Sequence, residues 1–71
     1  MRYAIVIERT GTGCSAYVPD LPGCVATGET VEDVRASIAE AIRMHIDGMI
    51  EDGEPVPQPT AVADYIETDA A

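Results

Sequence analysis

Lysine is absent from this sequence, and four arginines stand against thirteen acidic residues, a net charge of −9. Nucleic-acid affinity comes mostly from Lys and Arg displacing counterions from phosphates. Direct DNA or RNA binding by this chain is therefore not expected. A basic protein partner, steered by the complementary field, fits the balance, as does simple acidity for solubility. Cysteine is also scarce: Cys14 and Cys24 have no CxxC spacing and no nearby histidine in sequence, which excludes a secreted disulfide framework and a zinc site. Both are read as small apolar fillers in a reduced, cytoplasmic protein. No apolar run approaches the roughly 18 residues of a membrane span, and Met1–Ile7 is too short for a signal-peptide core.

What remains is one domain of 71 residues, with a core expected over about 2–67 and a disordered tail over about 68–71. A chain this small buries only about 60% of its unfolded surface. Ordering each residue costs roughly 1.5 kcal/mol, so an isolated core needs help, and oligomerisation is the form of help this composition leaves.

Arg2–Glu8 (RYAIVIE) places Tyr3, Ile5 and Ile7 on one face of a strand and Ala4 and Val6 on the other. Apolar residues on both faces predict a position near the sheet centre. RTGTG (Arg9–Gly13) reads as a hairpin loop, CSAYVP (Cys14–Pro19) as the returning strand, and DLPG (Asp20–Gly23) as a turn. Cys24–Thr27 is a short third strand at an edge. Thr30 with Asp33 resembles a capping box, so a helix begins at Val31. Its apolar stripe of Val34, Ile38, Ala41, Ile42, His45 and Met49 spans an arc of about 100°. Gly53 and Pro55 end it near Asp52, after about 22 residues or about 33 Å, and Gly48 can mark a bend.

EPVPQPT (Glu54–Thr60) predicts a stiff, extended crossing segment. The tail Ala61–Thr68 fits a strand or a short helix capped by Thr60; its Tyr, Ile and Val favour a fourth strand beside the first. The expected fold is thus α+β in two layers, β-β-β-α-β, an antiparallel meander with one long helix on one face. The sheet's other face, or an open strand edge, is where self-association is expected.

No catalytic set emerges. GTG at Gly11–Gly13 lacks a phosphate-loop spacing and does not lead into a helix, and Ser15 and Ser37 lack a GxSxG context. His45, the single histidine, lies in the apolar helix stripe and reads as a packed, hydrogen-bonded core residue. Asp20 is explained by turn formation. A two-metal nuclease needs carboxylates converging from strand ends, whereas here Glu8 alone sits on the first strand. No catalytic residue, cofactor or metal is expected.

The order YAIVIE, AYVPDLPGCVATGET, VEDV and AIRMHIDGMIEDGEPVPQPT resembles the HicB-type antitoxins of bacterial HicA/HicB toxin–antitoxin systems, from Arg2 to about Glu67. PDLPGC (Pro19–Cys24) followed by GET (Gly28–Thr30), and EDGEPVPQPT (Glu51–Thr60), carry the likeness. The resemblance implies a degraded ribonuclease H-like domain without the nuclease carboxylates. It implies an antitoxin that neutralises a small basic HicA-like toxin, an mRNA interferase, by covering its active site, and that forms homodimers or homotetramers. It also implies a short form without the C-terminal DNA-binding module that many members carry. The partner interface is assigned to Asp20, Leu21, Glu51 and Asp52. The alternative is a stand-alone oligomeric or small-ligand-binding domain with no toxin.

Overall fold

The computed structural model describes residues 1–70; the last residue of the tail expected to be disordered lies outside them. Three short strands, β1 (Val6–Arg9), β2 (Cys14–Tyr17) and β3 (Val25–Gly28), precede one helix, α1 (Val31–Glu51). The strands form an antiparallel sheet in the order β1-β2-β3. Register places Val6, Tyr17 and Val25 in one row across it, and Glu8, Ser15 and Thr27 in another. The α+β meander is as expected, but β2 is the central strand and β1 lies at an edge. Apolar residues on both faces of β1 had pointed to a place near the sheet centre, with a fourth strand on its far side.

The β1–β2 loop is closed by the Thr10 N–H, which donates to the Gly13 carbonyl at 2.8 Å. After β2 the chain makes two turns in succession. The Leu21 N–H donates to the Val18 carbonyl (3.1 Å) and the Cys24 N–H to the Leu21 carbonyl (3.0 Å). In the second turn Pro22 is followed by Gly23 at φ 85°, the residue pair and sign of φ of a type II turn. Such a turn holds Leu21 with no exposed surface, packed in the core.

Helix α1 begins where its capping chemistry predicts. The Thr30 side chain accepts the Asp33 N–H at 3.1 Å, and Glu32 and Asp33 lie at the positive end of the helix dipole. At the other end the Gly53 N–H donates to the Ile50 carbonyl and the Glu54 N–H to the Met49 carbonyl, a Schellman motif. Val34 and Ile38, one turn apart, are buried with Cys14, Ala16, Val18, Leu21 and Cys24; Ala41, Ile42 and Ile46 pack at the margin of this core. His45 is not a core residue. It is half-buried, because the sheet ends before the third turn of the stripe and leaves that part of the helix partly uncovered.

No strand forms beyond Gly53 among the described residues, so the expected fourth strand beside β1 is absent from the single chain. Val62, Tyr65 and Ile66 are 89%, 94% and 84% exposed. Nothing offsets the entropy of ordering them as a strand in this arrangement. The Asp64 carboxylate accepts the neighbouring Tyr65 N–H at 2.7 Å, a local bond that competes with a ladder.

Candidate partner-binding surface

The proline-rich segment returns from the helix end past the residues ahead of β1 and the turn after β2, and two side chains hold it there. Tyr3 donates its hydroxyl to the Pro57 carbonyl at 2.6 Å. Asp20 accepts three bonds, from the Thr60 hydroxyl (2.7 Å), the Thr60 N–H (3.0 Å) and the Ala61 N–H (3.0 Å). The turn residue therefore clamps a segment forty positions away instead of closing its own turn. The Thr60 hydroxyl bond, then the Ala61 and Thr60 amides, hold its carboxyl below the ordinary carboxylate value.

A lowered carboxyl pKa favours the folded clamp above the ordinary value, and that contribution is lost as pH falls through the lowered one. Asp20→Ala is expected to abolish amide-exchange protection at Thr60 and Ala61 at neutral pH while the Val31–Glu51 helix stays protected. Acidifying the parent below about pH 4 should begin to reproduce this. Unchanged protection at both amides in the variant would show that the clamp is not what holds the segment.

Between the Leu21–Pro22 turn and the C-terminal half of α1 runs an open groove. The turn supplies Leu21 and Pro22, the helix Met44, His45, Gly48, Met49 and Asp52, and the returning segment Glu54 and Pro57. Of the four interface residues expected from sequence, the fold brings Leu21 and Asp52 to this groove. Leu21 is fully buried and contributes a wall, with no outward side chain. Glu51 is exposed beside Asp52, outside the groove lining, and Asp20 is engaged in its clamp. Met44 and Ile50, 68% and 64% exposed, were not anticipated. Their signal was present, since both are large apolar residues off the buried stripe.

The electrostatics of this end are one-sided. Asp52 caps α1, Glu51 closes its last turn, and no basic residue lies in that turn. Asp47 and Glu54 add to the charge. A helix C-terminus already carries partial negative charge, so these carboxylates reinforce it where cations are normally favoured. Elsewhere the polar inventory is quiet. Cys14 and Cys24 are buried and unbridged, and burial pushes the Cys24 thiol up, away from reactivity. Among the described residues no three His, Cys, Asp or Glu side chains cluster as a metal site, and no helix is long and apolar enough to cross a membrane.

A family model described as the HicB-like antitoxin of bacterial toxin–antitoxin systems matches residues 3–70. A protein of Haemophilus phage HP1, known only as a 14.9 kDa product of the rep-hol intergenic region, is 41% identical over 66 residues, covering 93% of this chain and 50% of the phage protein. Antitoxin HicB 2 of Photorhabdus laumondii is 29% identical over 72 residues, covering 100% of this chain and 52% of that protein. The chain thus spans about half the length of these two relatives. A UPF0150 protein of Synechocystis is 35% identical over 57 residues, covering 79% of this chain and 72% of its own. Among solved structures, a chain of a HicA3 and HicB3 toxin–antitoxin complex superposes with a TM-score of 0.72 at 35% identity, covering 83% of this chain and 70% of that chain. With the match running over nearly every residue of the fold, the chain belongs to the HicB-like antitoxin family.

Proposed function

We propose that this protein binds a small basic HicA-type mRNA interferase and neutralises it by covering its active site, acting as a cover and not as a catalyst. The docking surface we assign is the acidic end of α1 with the groove beside it. The observation that carries this is the gathering of Glu51, Asp52 and Glu54, with Asp47 one turn before, at a helix end that has no basic residue in its last turn, beside a groove of mixed polar and apolar lining in which Met44 is exposed. Apolar contact supplies affinity there and the charge supplies steering towards a cationic partner. The family, and the structural relative being part of a HicA3 and HicB3 complex, support the choice of partner.

The test is co-expression with a HicA-type toxin encoded beside this gene, followed by co-purification and binding kinetics. The parent should relieve growth arrest and co-purify with the toxin. Reversing charge with Glu51→Lys and Asp52→Lys should slow association about tenfold or more and flatten its salt dependence, as expected for steering charges. Gly48→Leu should block the groove without harming the helix, because a side chain at that position meets open space. Persistent arrest with no complex would sink the antitoxin reading, whereas parental binding by both variants would relocate the surface.

A further inference from the structure

Helix α1 does not sit centrally over the sheet. It packs against β3 and β2 and barely reaches β1. The inner side of the first strand and the residues ahead of it is consequently only half-roofed, and a second groove of about 520 Å³ runs there between Ile5 and Ile7 on one side and Val31 and Arg35 of the helix start on the other. Arg2 and Tyr3 line one end, and the tail brings Tyr65 to it. Small-molecule sites commonly occupy roughly 300–1,000 Å³. This groove lies at the opposite end of α1 from the acidic surface assigned to the toxin.

Its charge is the reverse of the chain's. The sequence has thirteen acidic residues and four arginines, yet two of those arginines line this groove and no carboxylate does. Glu32 and Asp33, the acids nearest Arg35 in sequence, lie outside the lining. Among the described residues, the side-chain hydrogen bonds leave both guanidiniums unoccupied. A guanidinium presents a planar fork of donors that matches the oxygens of a carboxylate or a phosphate. Between the two forks the floor is apolar, with Ile5, Ile7 and Val31 half-buried. The Tyr65 ring is 94% exposed, so nothing in the chain occupies its faces and it can lie over a bound apolar body.

We propose that this groove binds a small amphipathic anion, a carboxylate or phosphate ester carried on a compact apolar body. Arg2 and Arg35 hold the charged group, Ile5, Ile7 and Val31 lie under the apolar part, and Tyr65 covers it. A nucleic-acid strand is not the occupant, because a long polyanion meets the field of all thirteen carboxylates. A compact anion is screened from distant charges over about 8 Å at physiological salt and sees chiefly the two guanidiniums. Occupation leaves the acidic end of α1 free, so the site does not depend on a toxin.

The test is a titration of the isotope-labelled protein, followed by amide shifts, with phenyl phosphate and benzoate as probes. Benzyl alcohol, which lacks the charge, and inorganic phosphate, which lacks the apolar body, are the controls. At least one aromatic anion should bind at least tenfold more tightly than either control and shift the amides of Ile5, Ile7, Val31 and Arg35; the tighter of the two assigns the headgroup as phosphate or carboxylate. Arg2→Gln with Arg35→Gln should weaken that binding at least tenfold with an unchanged helical spectrum, since both side chains are exposed. Tyr65→Ser should weaken the aromatic anion about threefold or more and leave inorganic phosphate unaffected. Binding no tighter than benzyl alcohol, parental affinity in the double arginine variant, or shifts confined to the acidic end of α1 would each overturn the proposal.

Discussion

Gly28→Ala is expected to lower stability by about 2–4 kcal/mol, at or somewhat above the usual cost of overpacking, because the obstacle is backbone. A Cβ at position 28 would lie 2.8 Å from the Val34 nitrogen and 3.1 Å from its Cα. That first helical turn cannot easily retreat. Thr30 pins it through the Asp33 N–H, and Val34 is fully buried beneath it. For a domain of this size the melting temperature should fall by roughly 10–25 °C. Gly48→Ala is the matched control, because its Cβ meets nothing within 4 Å. It lies inside the helix and should gain up to about 1 kcal/mol from propensity. Thermal and urea melts of the two variants should move in opposite directions; a Gly28→Ala protein that melts with the parent would show that β3 and α1 are not in the contact described.

The contrast between these two glycines also separates what could be read in the sequence from what could not. Thr30, Asp33 and Gly53 act on backbone groups a few residues away, so the ends of α1 are local chemistry and the structure places them where that chemistry predicts. Gly28 stands out in the sequence only as part of the GET motif, yet its role is a close approach to a helix that only the folded chain brings near. Asp20 looks like any turn aspartate, and nothing near it in sequence indicates Thr60 and Ala61 as its partners. For β1 the pattern was read correctly as apolar on both faces, but pattern alone does not say which strands lie beside it. The alternation of the tail is equally real, yet among the described residues it forms no strand and leaves Val62, Tyr65 and Ile66 exposed. The candidate surface follows the same division. Asp52 and Glu51 lie at the exposed helix end, where composition places them, while Leu21 turned inward because its turn is an anchor.

That anchor carries the other large effect. Leu21 has no exposed surface and is one of the largest fully buried side chains, though it sits in the seven-residue connection, 18–24, between two strands. It packs with Val18, Cys24, Val34 and Ile38, joining the end of β2 to the N-terminal half of α1. Truncating it empties the centre of a core with few other large members, and Leu→Ala changes at such sites cost about 2–5 kcal/mol. A chain of this length has about 4–10 kcal/mol in total, at the usual stability per residue. Leu21→Ala should therefore leave a measurable unfolded fraction at 37 °C and shift the urea midpoint far down with little change in slope. Pro22→Ala, one residue away and exposed, should change stability by less than about 1 kcal/mol. Because Leu21 also walls the groove, the truncated protein examined in the cold, where it remains folded, should lose affinity for a partner that uses the groove and keep its affinity for one that does not. The substitution thus reports both on what holds the turn in place and on whether the groove behind it is occupied in the complex.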